Sequence, residues 1–241
     1  MRLEKYQSLG NDFLFLLDDG GGADVDGSIA RAVCDRHTGV GADGLIRVRR
    51  GGEGADVVMR LWNSDGSVAE ISGNGVRCLG RAVVDAGWFA ERDLVVLTDA
   101  GPKVVSFADG AVSVEMGEPK VGDAGHVDMG NPHLVLDDEG QDLASIGAAH
   151  PELNVELFST GPEPDAVTMR VWERGAGETR ACGSGASAVA AVARRRGLVG
   201  PTVTVHQPGG TATVELRADG VAVLRGPVSH VASVEWWGAD A

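Results

Sequence analysis

Cysteine is scarce in this 241-residue sequence: Cys34, Cys78 and Cys182 are odd in number and widely spaced. That excludes a disulfide scaffold and points to a reducing, cytoplasmic compartment. No C-x-x-C or H-E-x-x-H occurs, so no zinc or other metal site is expected. Long apolar runs are missing too. No stretch of about 18 apolar residues occurs, and the opening Met1-Arg2-Leu3-Glu4-Lys5-Tyr6 lacks the apolar core of a signal peptide. Basic residues are short in supply: 21 Lys and Arg against 35 Asp and Glu leave a formal net charge of −14. Such a surface repels phosphate backbones and anionic lipid, which argues against nucleic-acid and membrane partners. Apolar residues make up 43% of the chain, enough for a packed core.

The chain resembles itself. Met59-Arg60-Leu61-Trp62 lies 110 positions before Met169-Arg170-Val171-Trp172, and the same offset carries Gly73, Gly75 and Gly87 onto Gly183, Gly185 and Gly197. Asp109-Gly110 falls on Asp219-Gly220 in the same register. Nearer the start of each half the offset is 120, pairing Leu9-Gly10-Asn11-Asp12 with Met129-Gly130-Asn131-Pro132. The ten extra residues of the first half are assigned to the glycine-rich stretches at 20–22 and 51–54. This period is far too long for a solenoid. Two similar halves are expected, 1–117 and 118–241, with a terminal strand free to cross over.

Apolar, β-branched runs at Phe13–Leu17, Val57–Trp62, Leu94–Thr98, Val104–Phe107 and Val112–Met116 read as strands. Each half has one clear helix. Val76, Leu79, Gly80, Val83 and Val84 share a helical face stopped by Gly87; Ala186 to Ala193 is small and apolar, and Gly197 ends it. Arg194-Arg195-Arg196 reads as a solvated last turn at the negative end of that helix rather than as a nucleic-acid patch. The expected class is α/β (α+β): two pseudo-symmetric domains, each made of strands wrapped around a central helix.

Both helices begin at a glycine-rich turn, Ser72-Gly73-Asn74-Gly75 and Cys182-Gly183-Ser184-Gly185. Successive N–H groups at a helix N-terminus make an anion site suited to a carboxylate. The dipole there favours a thiolate, which makes Cys182 a candidate base or nucleophile, while Cys34 and Cys78 sit in apolar helical patterns and read as core. Glu173 and Arg174 follow a strand into the loop that returns to Cys182, where they can orient an ammonium and hold a carboxylate, or form a surface ion pair. Asn11, Asn63, Asn131 and Asn154 lie at ends of strand-like runs, where an amide either caps a turn or recognises an amino acid. His133 is either a turn histidine or part of an acid–base site.

Five blocks carry a resemblance over essentially the whole chain: Leu9-Gly10-Asn11-Asp12-Phe13, Cys34 through Gly44, Asn63-Ser64-Asp65-Gly66-Ser67, Gly130-Asn131-Pro132-His133, and Trp172-Glu173-Arg174-Gly175 through Gly185. Together they resemble the diaminopimelate epimerase family. The resemblance implies two similar domains with the active site in the cleft between them. It also implies cofactor-independent inversion of one α-carbon of LL-diaminopimelate to give the meso form, for lysine and cell-wall synthesis. One thiolate removes the α-proton and a thiol on the opposite face returns one. Cys182 is implied as one thiol, with Glu173 and His133 tuning the pair. Asn11, Asn63, Asn131, Asn154 and Arg174 are implied to bind substrate, with the amides of Gly73, Asn74, Gly183 and Ser184 on the reacting carboxylate. A homodimer is implied as well.

One position departs from the family pattern. Its first catalytic cysteine belongs immediately before Gly73, and here that residue is Ser72. The internal repeat makes the same assignment, since 72 + 110 = 182. An alcohol is a very poor proton acceptor beside a thiol of pKa about 8.5. An impaired epimerase, a one-base amino-acid racemase or dehydratase of the same fold, and a non-catalytic amino-acid-binding paralogue all remain open on the sequence.

Overall fold

The computed structural model describes residues 1–20, 25–52 and 54–238. The chain divides into two units: Met1–Ser8, Asp12–Val112 and the chain from Val228 onward form one, and Leu9–Asn11 with Ser113–Pro227 form the other. The division falls at Val112, five residues before the boundary expected at 117. Residues 21, 22 and 53 of the two glycine-rich stretches lie outside the described residues, and the register of Phe13 with Gly44 against His133 with Asn154 puts the ten extra residues before Gly44, so the 51–54 stretch does not hold them.

In the first unit, apolar and β-branched runs build β1 (Arg2–Ser8), β2 (Asn11–Asp18), β3 (Gly44–Arg50), β4 (Val57–Asn63), the short β5 (Val68–Ala69), β6 (Leu94–Thr98) and β7 (Gly101–Ala108). Helix α1 (Gly27–Cys34) joins β2 to β3, and α2 (Gly73–Asp85) joins β5 to β6. β3 runs parallel to β2 with Phe13 beside Gly44, and β4 returns antiparallel with Trp62 opposite Leu45. β6 is parallel to β4, and β7 folds back on β6.

The second unit repeats this plan. It contains β8 (Ala111–Gly117), β9 (Lys120–Val121), β10 (His126–Asp128), β11 (Pro132–Asp137), α3 (Leu143–Ala149), β12 (Asn154–Thr160), β13 (Ala166–Glu173), β14 (Gly177–Thr179), α4 (Gly183–Arg195), β15 (Thr202–Gln207), β16 (Gly210–Leu216) and β17 (Ala222–Gly226). β12 is parallel to β11 with His133 beside Asn154, and β13 returns antiparallel with Trp172 opposite Val155. β15 is parallel to β13, and β16 folds back on β15. Leu45–Trp62 and Val155–Trp172 thus occupy the same place in each unit at the 110-residue offset. The last strand, β18 (Ser229–Glu235), pairs antiparallel with β1 in the first unit, Leu3 opposite Val234. The mixed α/β class expected from the sequence is the one observed.

Each long helix has 13 residues. Every residue of α4 from Gly183 to Ala193 is buried. A helix apolar on all sides must be enclosed on all sides, and α4 packs on β9, β11, β12, β13, β15, β16 and β17. Alanine and glycine let those strands come close. Gly87 and Gly197 both take φ +72°, the left-handed stop that glycine adopts without a Cβ penalty.

One expectation needs correction. Each unit has a second, shorter helix, α1 or α3, because Asp26 and Asp142 cap segments whose apolar residues pack on the sheet. The arginine run is the exposed last turn that was expected, and it also makes contacts. Arg194 donates to the Val199 carbonyl at 3.2 Å, Arg195 to the Val121 carbonyl at 2.6 Å and Arg196 to Asp137 at 2.7 Å. The guanidinium fork reaches backbone and carboxylate oxygens around the helix end, so this turn ties α4 to its surroundings.

Candidate active site

The first residues of α2 and α4 have nearly the same geometry. Ser72 is the N-cap of α2 at φ −133°, ψ 119°, and its hydroxyl accepts from the Gly75 N–H at 3.1 Å. Cys182 is the N-cap of α4 at φ −129°, ψ 122°, and its Sγ accepts from the Gly185 N–H at 3.4 Å. A cysteine is an unusual cap, since Ser, Thr, Asp and Asn dominate that position. Its presence in a serine's geometry marks a site chosen for more than capping. Beyond each cap, the first-turn N–H groups point out along the helix axis at the positive end of the dipole.

In the second unit, the sequence candidates converge on Cys182. Its N–H donates to Gln207 Oε1 at 2.8 Å, and its Sγ lies 3.5 Å from Ser184 Oγ. The Asn131 amide donates to Ser184 Oγ at 3.3 Å, and Asn131 Oδ1 lies 3.1 Å from His133 Nε2. The other ring nitrogen, Nδ1, lies 2.6 Å from Glu156 Oε1. His133 and Glu156 are both buried, and Glu156 Oε2 has no hydrogen-bond partner among the described residues. A continuous buried polar chain therefore links Glu156 through His133, Asn131 and Ser184 to the thiol.

Glu173, half-buried at the end of β13, accepts from the Thr179 hydroxyl. Asn154 donates to the Pro132 carbonyl at 3.0 Å and accepts from the Arg174 N–H at 3.0 Å, so its amide ties β11 to the turn after β13. Asn11 is buried at the start of β2 and belongs to the second unit. In the first unit, Asn63 closes the turn after β4 by donating to Ser67 Oγ at 3.1 Å. Asn74 is buried in the first turn of α2 and accepts from Arg77.

The sequence reading expected the helix dipole to favour a Cys182 thiolate. The structure corrects this. Burial pushes the Cys182 thiol well above its ordinary value, and the carboxylates of Glu173 and Glu156 push it further. The Ser184 hydroxyl and Gly185 N–H pull the other way without overcoming burial. Cys34 and Cys78 are buried as expected, and loss of hydration pushes each up to about 12.

Three residues went unnoticed in the sequence: Glu156, Gln207 and Arg77. Glu156 was detectable as the acidic residue inside the apolar run Val155–Phe158, at the position where the repeat places Ile46 in the first half. Gly185 records its presence, because a Cβ there would lie 2.5 Å from Glu156 Oε1. The carboxylate cannot swing aside, since it is buried and held by His133. Gly185→Ala is therefore expected to destabilise the fold by about 1–3 kcal/mol in a denaturant titration. An unchanged midpoint would show that Glu156 has room to move.

The chain is similar to known proteins in architecture and in sequence. Its architecture matches that of a crystallised hydroxyproline epimerase from Agrobacterium vitis with bound trans-4-hydroxy-L-proline, at a TM-score of 0.73 and 16% identity over 97% of this chain and 91% of that one. The chain thus shares the fold of that enzyme. The sequence profile of diaminopimelate epimerase matches residues 4–122 and 125–231. The diaminopimelate epimerase of Desulfitobacterium hafniense is 38% identical, with 96% of each chain covered. That of Streptomyces coelicolor is 41% identical over 94% of this chain and 92% of its own. The chain belongs to the diaminopimelate epimerase family.

Proposed function

We propose that this chain catalyses cofactor-independent interconversion of LL- and meso-diaminopimelate, at a rate held down by Ser72. The observation that carries this reading is the matched pair of helix mouths, one capped by Cys182 and the other by Ser72, in a chain of this family. Proton transfer at an α-carbon needs one acid–base group for each face. Cys182 is one, and Ser72 occupies the place of the other. The α-carbon loses its proton more readily when charge developing on its carboxylate is met by fixed donors. The first-turn amides of Gly73 and Asn74, and of Gly183 and Ser184, are assigned that role.

His133 and Glu173 tune the Cys182 thiol, His133 through the polar chain that runs by Asn131 and Ser184. Asn11, Asn63, Asn131, Asn154 and Arg174 form the recognition set, with Arg174 on the distal carboxylate. A one-base racemase or dehydratase on another amino acid is the second reading, favoured by the unlike residues at positions 72 and 182. The recognition set weighs against it, because Asn63, Asn154 and Arg174 are surplus for a small monocarboxylate. Three free, buried thiols fit a reducing cytoplasm, and among the described residues no helix is long and apolar enough to cross a membrane. The partners proposed are the small amino-acid substrate and a second copy of the chain, with no nucleic acid.

Calorimetric titration with meso-diaminopimelate tests the substrate class. The chain is expected to bind it, and Arg174→Ala to weaken binding by about 1.5–3 kcal/mol, the range for a hydrogen bond to a charged group. Equal affinity in the variant would remove Arg174 from the site. No binding by the unaltered chain would remove diaminopimelate.

A further inference from the structure

The largest fully buried side chain among the described residues is Arg77, in the first turns of α2. Its Nη2 donates to Ser8 Oγ at 2.8 Å and to Asn74 Oδ1 at 2.5 Å, while Nε and Nη1 have no hydrogen-bond partner among the described residues. Burial pushes its basicity down to about 10, and the one ionisable group acting on it is the adjacent Cys78 thiol. Arg77 is therefore still a cation at neutral pH, buried and without a carboxylate beside it. Such a group costs stability and is not what a core needs.

The repeat shows that the fold does not require it. The equivalent position of α4, 110 residues on, is Ser187, whose hydroxyl donates to the Gly183 carbonyl at 3.1 Å. Helical side chains lean toward the N-terminus, so Arg77 reaches back one turn to Asn74, the second residue of the helix. Its charge thus adds to the positive end of the α2 dipole. At the α4 mouth the side chains acting on Cys182 are instead the acidic Glu173 and Glu156, with His133 held against Glu156 at 2.6 Å.

We propose that Arg77 is a positioning residue of the α2 mouth: its buried guanidinium fixes Asn74 and supplies the positive charge that favours an anion there, whether the carboxylate of an amino-acid substrate or an ionised group at position 72. The substrate half of this rests on the function proposed above; the charge half does not. The two mouths then differ in electrical character. One sets a buried cation beneath the helix start, and the other sets acidic side chains around its thiol.

Two measurements on Arg77→Met and Arg77→Lys test this. In the Ser72→Cys background, the pH dependence of iodoacetamide labelling, read peptide by peptide in a mass spectrometer, reports ionisation of the introduced thiol. Arg77→Met is expected to raise its midpoint by about one pH unit, and Arg77→Lys, which keeps the charge, to hold it near the parent value. Separately, Arg77→Met is expected to weaken meso-diaminopimelate binding about tenfold, with a thermal midpoint equal to or above the parent's. A residue with a merely structural role gives the reverse: a lower thermal midpoint, with the thiol midpoint and affinity unchanged. That result overturns the proposal, as does an Arg77→Met chain that fails to fold. If the unaltered chain binds no meso-diaminopimelate, the functional reading fails, and the thiol midpoint still decides the role of Arg77.

Discussion

Replacing Ser72 with cysteine is expected to raise the rate of LL- to meso-diaminopimelate conversion by about 10²–10⁴-fold, the contribution of a positioned acid–base group. Ser72 is half-buried and caps α2 with the φ, ψ and hydrogen bond that Cys182 shows at α4. A sulfur is already accommodated in that geometry once in this chain, so the exchange brings chemistry without rebuilding the turn. A serine hydroxyl with no base beside it does not ionise near neutral pH. A thiol in the same place titrates within reach of it, and the buried Arg77 charge beneath the α2 mouth assists. Chiral chromatography of the product after timed incubation reads the gain. An unchanged rate would mean that another residue already serves as the second base, with His133 the first to replace.

Cys182→Ser is the complementary change, and in the parent, which carries Ser72, it is expected to abolish α-proton exchange. A serine there keeps the cap, since the Gly185 N–H finds an oxygen in place of sulfur. Folding is therefore retained while the only thiol at a helix mouth is lost. Thermal denaturation should show a midpoint close to the parent's. NMR in deuterated water should show no α-deuterium above the uncatalysed level. Exchange surviving Cys182→Ser would place the acid–base group elsewhere in the second unit, and Glu156 or Glu173 would need to be replaced next.

The internal repeat made most of the fold legible in the sequence. Gly73, Gly75 and Gly87 recur as Gly183, Gly185 and Gly197 because both helices need the same entry turn and the same left-handed stop. The Trp62 and Trp172 positions recur because both stand on the antiparallel strand beside a parallel pair. The short helix α3 was missed, and α1 showed only as the helical pattern around Cys34, since seven or eight residues hold too few periods to separate a helix from a loop.

The site was legible wherever a residue type announces its chemistry. Cys182, His133 and Asn131 could be picked out singly, and the structure joins them in one polar chain. Glu156 and Arg77 were not picked out because each sits within an apolar pattern and its importance comes from burial. An acid on a strand or an arginine on a helix reads as solvent-facing until the neighbouring elements close over it. The thiol's ionisation was misjudged for the same reason. The dipole is visible in the sequence, whereas the loss of water around Cys182 and the two carboxylates acting on it is not.

The central claim is that Cys182 is the working acid–base group and Ser72 the missing one. The most direct test incubates the unaltered chain with LL-diaminopimelate and, separately, with the meso form in deuterated water across a pH series, following α-deuterium by NMR and configuration by chiral chromatography. Because burial and two carboxylates hold the thiol up, exchange should be slow at neutral pH and keep rising through the alkaline range. It should enter from one configuration of the α-carbon only, with little net inversion. Rapid exchange from both configurations, already level at neutral pH and matched by rapid epimerisation, would contradict the account.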